Sequence, residues 1–256
     1  MNENKSSHSV RMVLSLAASL VVGVAGLFLV RWLVSAAWLH ANNEVAGNYL
    51  QTIGTIYAVL LAFVIFVVWQ QHNDTRCAVE NEANELSDLY RTLRALPGTQ
   101  RVQEYIQEYS HVVAGEEWSA MAAGGISPRA EEILDTIWES LQRVEATSPR
   151  HQALHSEVLA RFNDLSDGRS HRLHCSLLRL PQSMWVLLLT NGALVIGSMW
   201  MFGMESFWAH ALMTGALAVS VGFILFLIAD LDNPFQGSWS IKPEVFERAL
   251  RHRIKS

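Results

Sequence analysis

Charge is scarce in this chain. Of its 256 residues, 17% are charged and 50% are hydrophobic, where a soluble domain carries roughly 25% charge. That deficit argues against an ordinary soluble enzyme. Positive charge is not in excess either. The formal net charge is −5, so the basic footprint of a nucleic-acid binder is missing and no nucleic-acid partner is expected. Cysteine is limited to Cys77 and Cys175, which form no CxxC pair and suggest no disulfide framework. Walker A, GxGxxG and GxSxG patterns are missing. No strand alternation, hairpin signal or internal repeat is found.

What is present is apolar length. Four uncharged runs, Met12–Val30, Tyr49–Trp69, Met184–Met204 and Phe207–Ala229, each approach or exceed the ~20 residues that cross a hydrocarbon core. Backbone groups in lipid must pair internally, so all four are expected to be helices. Buried helices of a soluble protein would show polar stripes, and these show almost none. The first run is longer than the ~7–15 residues of a signal-peptide core, and no small-residue cleavage site stands before Arg31, so it reads as a retained span. The chain is therefore expected to be an all-α integral membrane protein. Its layout would be a tail (1–11), a first transmembrane hairpin (12–71, spans about 12–34 and 49–69), an insert (72–180), a second hairpin (181–230, spans about 184–204 and 207–229) and a tail (231–256).

Orientation follows from Lys and Arg. Lys5 and Arg11 precede span one, and Lys242, Arg248, Arg251, Arg253 and Lys255 follow span four. Only Arg31 lies between spans one and two, and the turn at Glu205 and Ser206 has no basic residue. The positive-inside rule puts both termini, and with them residues 72–180, in the cytoplasm of what reads as a bacterial inner membrane. Trp32, Trp38, Trp69 and Trp185 stand where interfacial anchors belong.

The insert reads as helical. The stretch from Gln70 to Leu96 continues span two without a breaker. Val79, Leu86 and Leu93 recur at seven, as do Leu89 and Leu96, and Pro97-Gly98 is a stop. A second helix is expected over about Gln100–Trp118, with Val102, Ile106, Tyr109 and Val113 on one side. Gly124-Gly125 marks a loop. Ser127-Pro128 and Ser148-Pro149 read as helix starts, hydroxyl capping and Pro in the first turn. Ile133, Ile137, Leu141 and Val144 form one stripe; Leu154, Val158, Phe162 and Leu165 form the next. Acidic residues outnumber basic ones here. On pattern alone every one of these charges reads as the solvated face of a helical bundle.

Candidate chemical groups are few. His151 and His155 share a helix face but lack the Glu of HExxH. His171, His174 and Cys175 could in principle meet a transition metal, but no second ligand cluster supports one. No metal and no cofactor is expected, and ionisable groups are missing from the spans except at their ends, so no catalytic residue is expected. Asp230, Asp232 and Asn233 form an oxygen-rich turn after span four. It reads as a helix stop with a polar loop or as a possible cation site. Arg161, Arg169, Arg172 and Arg179 precede span three; their roles would be topogenic, or attraction of anions toward a pore mouth. In span two, Gln51, Thr55, Val59, Ala62 and Phe66 fall on one helical stripe, flanked by Thr52 and Phe63. A polar mouth followed by an apolar constriction suits a pore, and small residues equally suit helix contact. Asn191 of span three should face protein or water.

Four segments resemble the bestrophin-like family of four-span membrane proteins: NYLQTIGTIYAVLLAFVIFVVW at 48–69, AVENEANELSDLYRTLRALP at 78–97, RLHCSLLRLPQSMW at 172–185 and DLDNPFQG at 230–237. The region Glu82–Leu86 and the Asp-Asn-Pro-Phe turn are the most specific, and the likeness covers about residues 45–250. The resemblance implies an oligomeric anion channel. Both termini would be cytoplasmic, the second span would line a narrow hydrophobic neck, and helical cytoplasmic parts would extend the pore. Gln236 interrupts the Asn-Pro-Phe-Gly turn of that larger group. Asp230 and Asp232 are no full equivalent of the acidic calcium clasp of animal bestrophins, so calcium gating is not implied. The expected function is a homo-oligomeric channel for small anions such as chloride, in contact with the lipid bilayer. Pore residues would be Gln51, Thr52, Thr55, Val59, Ala62, Phe63 and Phe66. The alternative is a non-conducting scaffold or sensor whose acidic insert binds a partner.

Overall fold

The computed structural model describes residues 2–254, and the side chains of 8–250. The side chains of Lys5, Arg251, Arg253 and Lys255, counted above for topology, lie outside the described residues. All regular structure among the described residues is helical: α1 (Asn2–Leu33), α2 (Ala36–Ala41), α3 (Asn43–Leu93), α4 (Gln100–Val112), a π-helical turn (Val113–Glu117), α5 (Trp118–Ala122), α6 (Pro128–Gln142), α7 (Pro149–Leu177), α8 (Gln182–Trp200), α9 (Phe207–Leu231) and α10 (Glu244–Ile254). Among the described residues, four stretches are long and apolar enough to cross a membrane: His8–Leu33, Asn43–Leu93, Pro149–Trp200 and Phe207–Leu231. In the third, the break around Pro181 separates polar α7 from apolar α8. Two compact units result, residues 1–70 with 179–232, and residues 71–178 with 233–256.

The first unit holds the apolar helices. α1 packs chiefly on α9, where small residues allow close approach. The inner face of α3 presents Tyr57, Leu61, Val64 and Val68 to Leu188 and Val195 of α8 and Val221 and Ile228 of α9. Asn191 does not reach a neighbouring helix; its amide donates to Leu187 O one turn back at 2.9 Å. The link between α8 and α9 is tied to the start of α3. Gly203 N–H donates to Asn43 Oδ1 at 2.7 Å and Asn43 Nδ2 donates to Gly203 O at 3.1 Å. A Cβ at Gly203 would lie 2.5 Å from the His40 backbone nitrogen, and backbone cannot rotate away. Gly203→Ala should therefore cost about 1–3 kcal/mol through overpacking. Thermal unfolding in detergent checks this, and an unchanged midpoint would refute it.

The second unit has its own core. Leu86, Leu89 and Leu93 of α3 meet Ile106 and Tyr109 of α4, Ile137 and Leu141 of α6, and Val158 and Leu165 of α7. Each such side chain contributes roughly 1.5–3 kcal/mol on burial. Phe235, Phe246 and Leu250 join them, so the segment after the fourth span is part of this core. α3 stops at Leu93, before Pro97, and Gly98 supplies the positive φ of 77° in the turn that follows. Of the two expected caps one forms: Ser148 Oγ accepts from His151 N–H at 3.1 Å. Ser127 is extended but its hydroxyl makes no cap bond. There Pro128 starts α6 through its fixed φ alone.

Candidate functional site

α3 carries the first candidate. Along residues 51–66 it has two faces. Tyr57, Leu61 and Val64 are buried in the first unit. Gln51, Thr52, Thr55, Val59, Ala62, Phe63 and Phe66 are all exposed on the single chain, with Val59 at 52%, Phe63 at 67% and Phe66 at 65%. The rise of 1.5 Å per residue puts the polar groups first and the aromatic ones further along, Phe63 about 12 Å and Phe66 about 16 Å beyond Thr55. Thr52 and Thr55 hydroxyls donate to Asn48 O and Gln51 O at 2.9 and 2.7 Å. Their donor demand is met within the helix. The Gln51 amide is exposed, and an amide facing hydrocarbon would be costly.

The turn after the fourth span distributes its polar groups over several partners. In the first unit, Asp230 Oδ1 pairs with His8 Nε2 at 2.7 Å, whereas Asp232 Oδ1 accepts the Leu180 N–H at 2.7 Å. Burial raises the Asp232 pKa, opposed by that N–H and by Arg179, and burial lowers the pKa of Arg179, opposed by Asp232. The two carboxylates thus hold different partners, His8 and the Leu180 N–H. In the second unit, Asn233 Oδ1 accepts from Phe235 N–H at 3.3 Å, and Asn233 Nδ2 and Gln236 Nε2 both donate to Ala122 O at the end of α5. Phe235 meets the Trp118 ring edge-on at 5.1 Å, and Trp118 Nε1 donates to Ile241 O at 3.1 Å. The Asn-Pro-Phe turn is a lock between the tail and the π-helical turn region.

The largest departure from expectation lies on α7. Arg169 and Arg172 are interior groups of the second unit, at 4% and 0% exposure, and not solution-facing cations for attracting anions. Arg172 forks onto Glu82, Nε to Oε2 at 2.5 Å and Nη2 to Oε1 at 3.1 Å. Its Nη2 also donates to Glu117 Oε2 at 2.6 Å, and Nη1 reaches Met121 Sδ at 2.9 Å. Arg169 Nη2 donates to Glu117 Oε1 at 2.7 Å and Nη1 to Glu131. Tyr109 Oη donates to Glu82 Oε1 at 2.7 Å. Phe246 of α10 lies under the Arg172 guanidinium, 5.8 Å from its ring centre. Burial works against the Arg172 cation, but Glu82, aided by Tyr109 and Glu117, outweighs it and holds the pKa above the ordinary value. Burial, reinforced by Glu82, pushes the Tyr109 pKa well up, so the phenol stays a donor. With their fields cancelled by carboxylates at hydrogen-bond distance, these arginines form an internal clamp.

Glu117 is the functional-looking residue that the sequence reading missed. It ends the π-helical turn, which places an extra residue in one turn and occurs mostly at functional or strained points. A signal existed: Glu117 lies four residues after Val113 on the apolar stripe of α4. The histidines are dispersed. His155 Nε2 bonds Leu141 O at 3.0 Å. His171 and His174 are exposed beside buried Cys175, whose thiol pKa is raised by burial and by Asp74. Among the described residues no group of three His, Cys, Asp or Glu could hold a metal.

These features define a four-span, all-helical membrane protein with a second helical unit built on the extension of its second span. The chain belongs to the bestrophin-like family: the family model described as Bestrophin-like domain matches residues 17–246. Its structure is similar to two single-substitution variants of a bacterial bestrophin homolog from Klebsiella pneumoniae. One has a TM-score of 0.69 at 12% identity, covering 95% of this chain and 99% of that one. The other has a TM-score of 0.67 at 13% identity, covering 96% and 98%. A single-substitution variant described as a membrane protein gives a TM-score of 0.68 at 11% identity, with 96% and 98% covered. At these identities the likeness is one of fold. No curated protein matches the chain.

Proposed function

We propose that the protein is a homo-oligomeric ion channel that passes small anions such as chloride along the exposed face of α3. One observation carries the reading: a single helix face runs from amide and hydroxyl groups to Val59, Phe63 and Phe66, all exposed on one chain, while the opposite face packs inward. Copies of the chain arranged around an axis would turn that face into a polar mouth and an apolar constriction, the elements of a dewetting gate. No carboxylate stands between Asn48 and Trp69, so the face lacks the acidic ring of a cation filter. The Gln51 amide offers N–H donors to a partly dehydrated anion. Arg179 remains the candidate for anion attraction outside the spans, with Asp232 beside it. Both termini and residues 72–180 are assigned to the cytoplasm by the Lys/Arg distribution, in a bacterial inner membrane. α3 continues unbroken to Leu93, a rigid path for a cytoplasmic signal to reach the gate.

The test is flux from liposomes containing the purified protein, chloride against potassium. Chloride flux that Val59→Trp or Thr55→Trp abolishes is the expected result. Potassium flux with the same sensitivity keeps the pore and overturns the selectivity. No flux of either ion from well-folded oligomers favours the scaffold whose acidic helical unit binds a partner.

A further inference from the structure

Between α6 and α7, within the second unit, lies a cavity of about 580 Å³, inside the range of small-molecule sites. Its α6 wall is made by Glu131, Asp135 and Trp138, at i, i+4 and i+7 on one face. Its α7 wall includes Phe162, Ser166 and Arg169. Trp138 and Phe162 stack at 5.3 Å with their planes 26° apart, and 36% of Trp138 stays exposed. Arg169 is 4% exposed and its Nε–H has no acceptor.

The charges at this cavity divide unevenly. Arg169 is matched by Glu117 and Glu131. Asp135 is exposed and, among the described residues, makes no hydrogen bond or ion pair. An unneutralised carboxylate thus stands one helical turn from an aromatic face in the same concavity. The negative face of an indole ring and a carboxylate attract one kind of group, a positively charged nitrogen carrying apolar carbon. The free Arg169 Nε–H and His174 also line the cavity, but an anion there would meet Asp135 unscreened. A bare metal ion lacks the required donors, since no three-ligand group is present among the described residues.

We propose that this cavity is a binding site for a small organic ammonium ion. Asp135 holds the charge, and Trp138 stacked on Phe162 covers its apolar carbons. The site is separate from the span-two face, and its test does not depend on ion flux.

Full-length protein in detergent is titrated calorimetrically with putrescine and with tetramethylammonium. Saturable binding of at least one of them, one per chain, is expected. Asp135→Asn should weaken it about tenfold, and Trp138→Leu should weaken tetramethylammonium by a similar factor. Absence of saturable binding with both probes overturns the proposal. So does binding that both substitutions leave unchanged. Hydrogen exchange on the wild type gives a readout independent of the variants. Ligand protection within 131–138 and 162–170 supports the site, and protection confined elsewhere overturns it.

Discussion

Arg172→Met should lower the thermal midpoint of the second unit by roughly 10 °C or more. The substitution keeps apolar bulk but removes the fork on Glu82 and one of two cations on Glu117, both at 0% exposure. Breaking one partner out of a buried pair costs about 3–5 kcal/mol, because the remaining charge is stranded. For a unit of this size, each kcal/mol moves the midpoint by a few degrees. The carboxylates, more than the lost contact, should drive the effect. Adding Glu82→Gln should therefore restore part of the loss, and a double-mutant cycle measures that coupling directly. Exposed ion pairs such as Arg143–Glu139, with side chains at 76% and 65% exposure, should move the midpoint little when broken. If Arg172→Met and Arg143→Met have equal, small effects, the interior clamp is not a stabilising element.

Phe63→Ala and Phe66→Ala should each raise ion flux severalfold in a conducting preparation, and the double variant should leak. The side chains are 67% and 65% exposed on the single chain, so their removal leaves the core of the first unit untouched and folding should survive. Truncation widens and wets an apolar constriction, lowering its barrier to hydrated ions. The control lies on the opposite face. Val64, at 2% exposure, should destabilise the protein when cut to Ala, by the cost of a core cavity, without producing a leak in whatever folds. Unchanged conductance and gating in both Phe variants would remove these residues from the gate.

Much of the architecture was legible in the residues. Four uncharged apolar runs can cross a bilayer only as helices, because lipid offers no partner for a free backbone group. The stripes Val79–Leu86–Leu93, Val102–Ile106–Tyr109 and Val158–Phe162–Leu165 are all buried as their periods require. The clamp was half visible. Glu82 falls three residues after Val79 and four before Leu86; Arg169 and Arg172 continue the stripe of Leu165; Glu117 continues that of Val113. A charge buried on an apolar stripe must find an opposite charge inside, but spacing alone does not mark it: Arg161, three residues after Val158 and four before Leu165, keeps its side chain 33% exposed. Ser127 and Ser148 precede proline alike, yet only Ser148 caps.

The sequence by itself determined the helical class, the apolar spans and the buried stripes, but it read the insert's charges as solvated. Only the tertiary structure decided which pairs form. Glu82 and Arg172 are 90 residues apart, and Glu117 reaches both arginines from the end of a π-helical turn. Only the tertiary structure sent Asp230 to His8 and Asp232 to Leu180. Periodicity is a local property of one helix, readable along the chain. Which carboxylate meets which guanidinium depends on how separate helices pack, and no local pattern carries that packing.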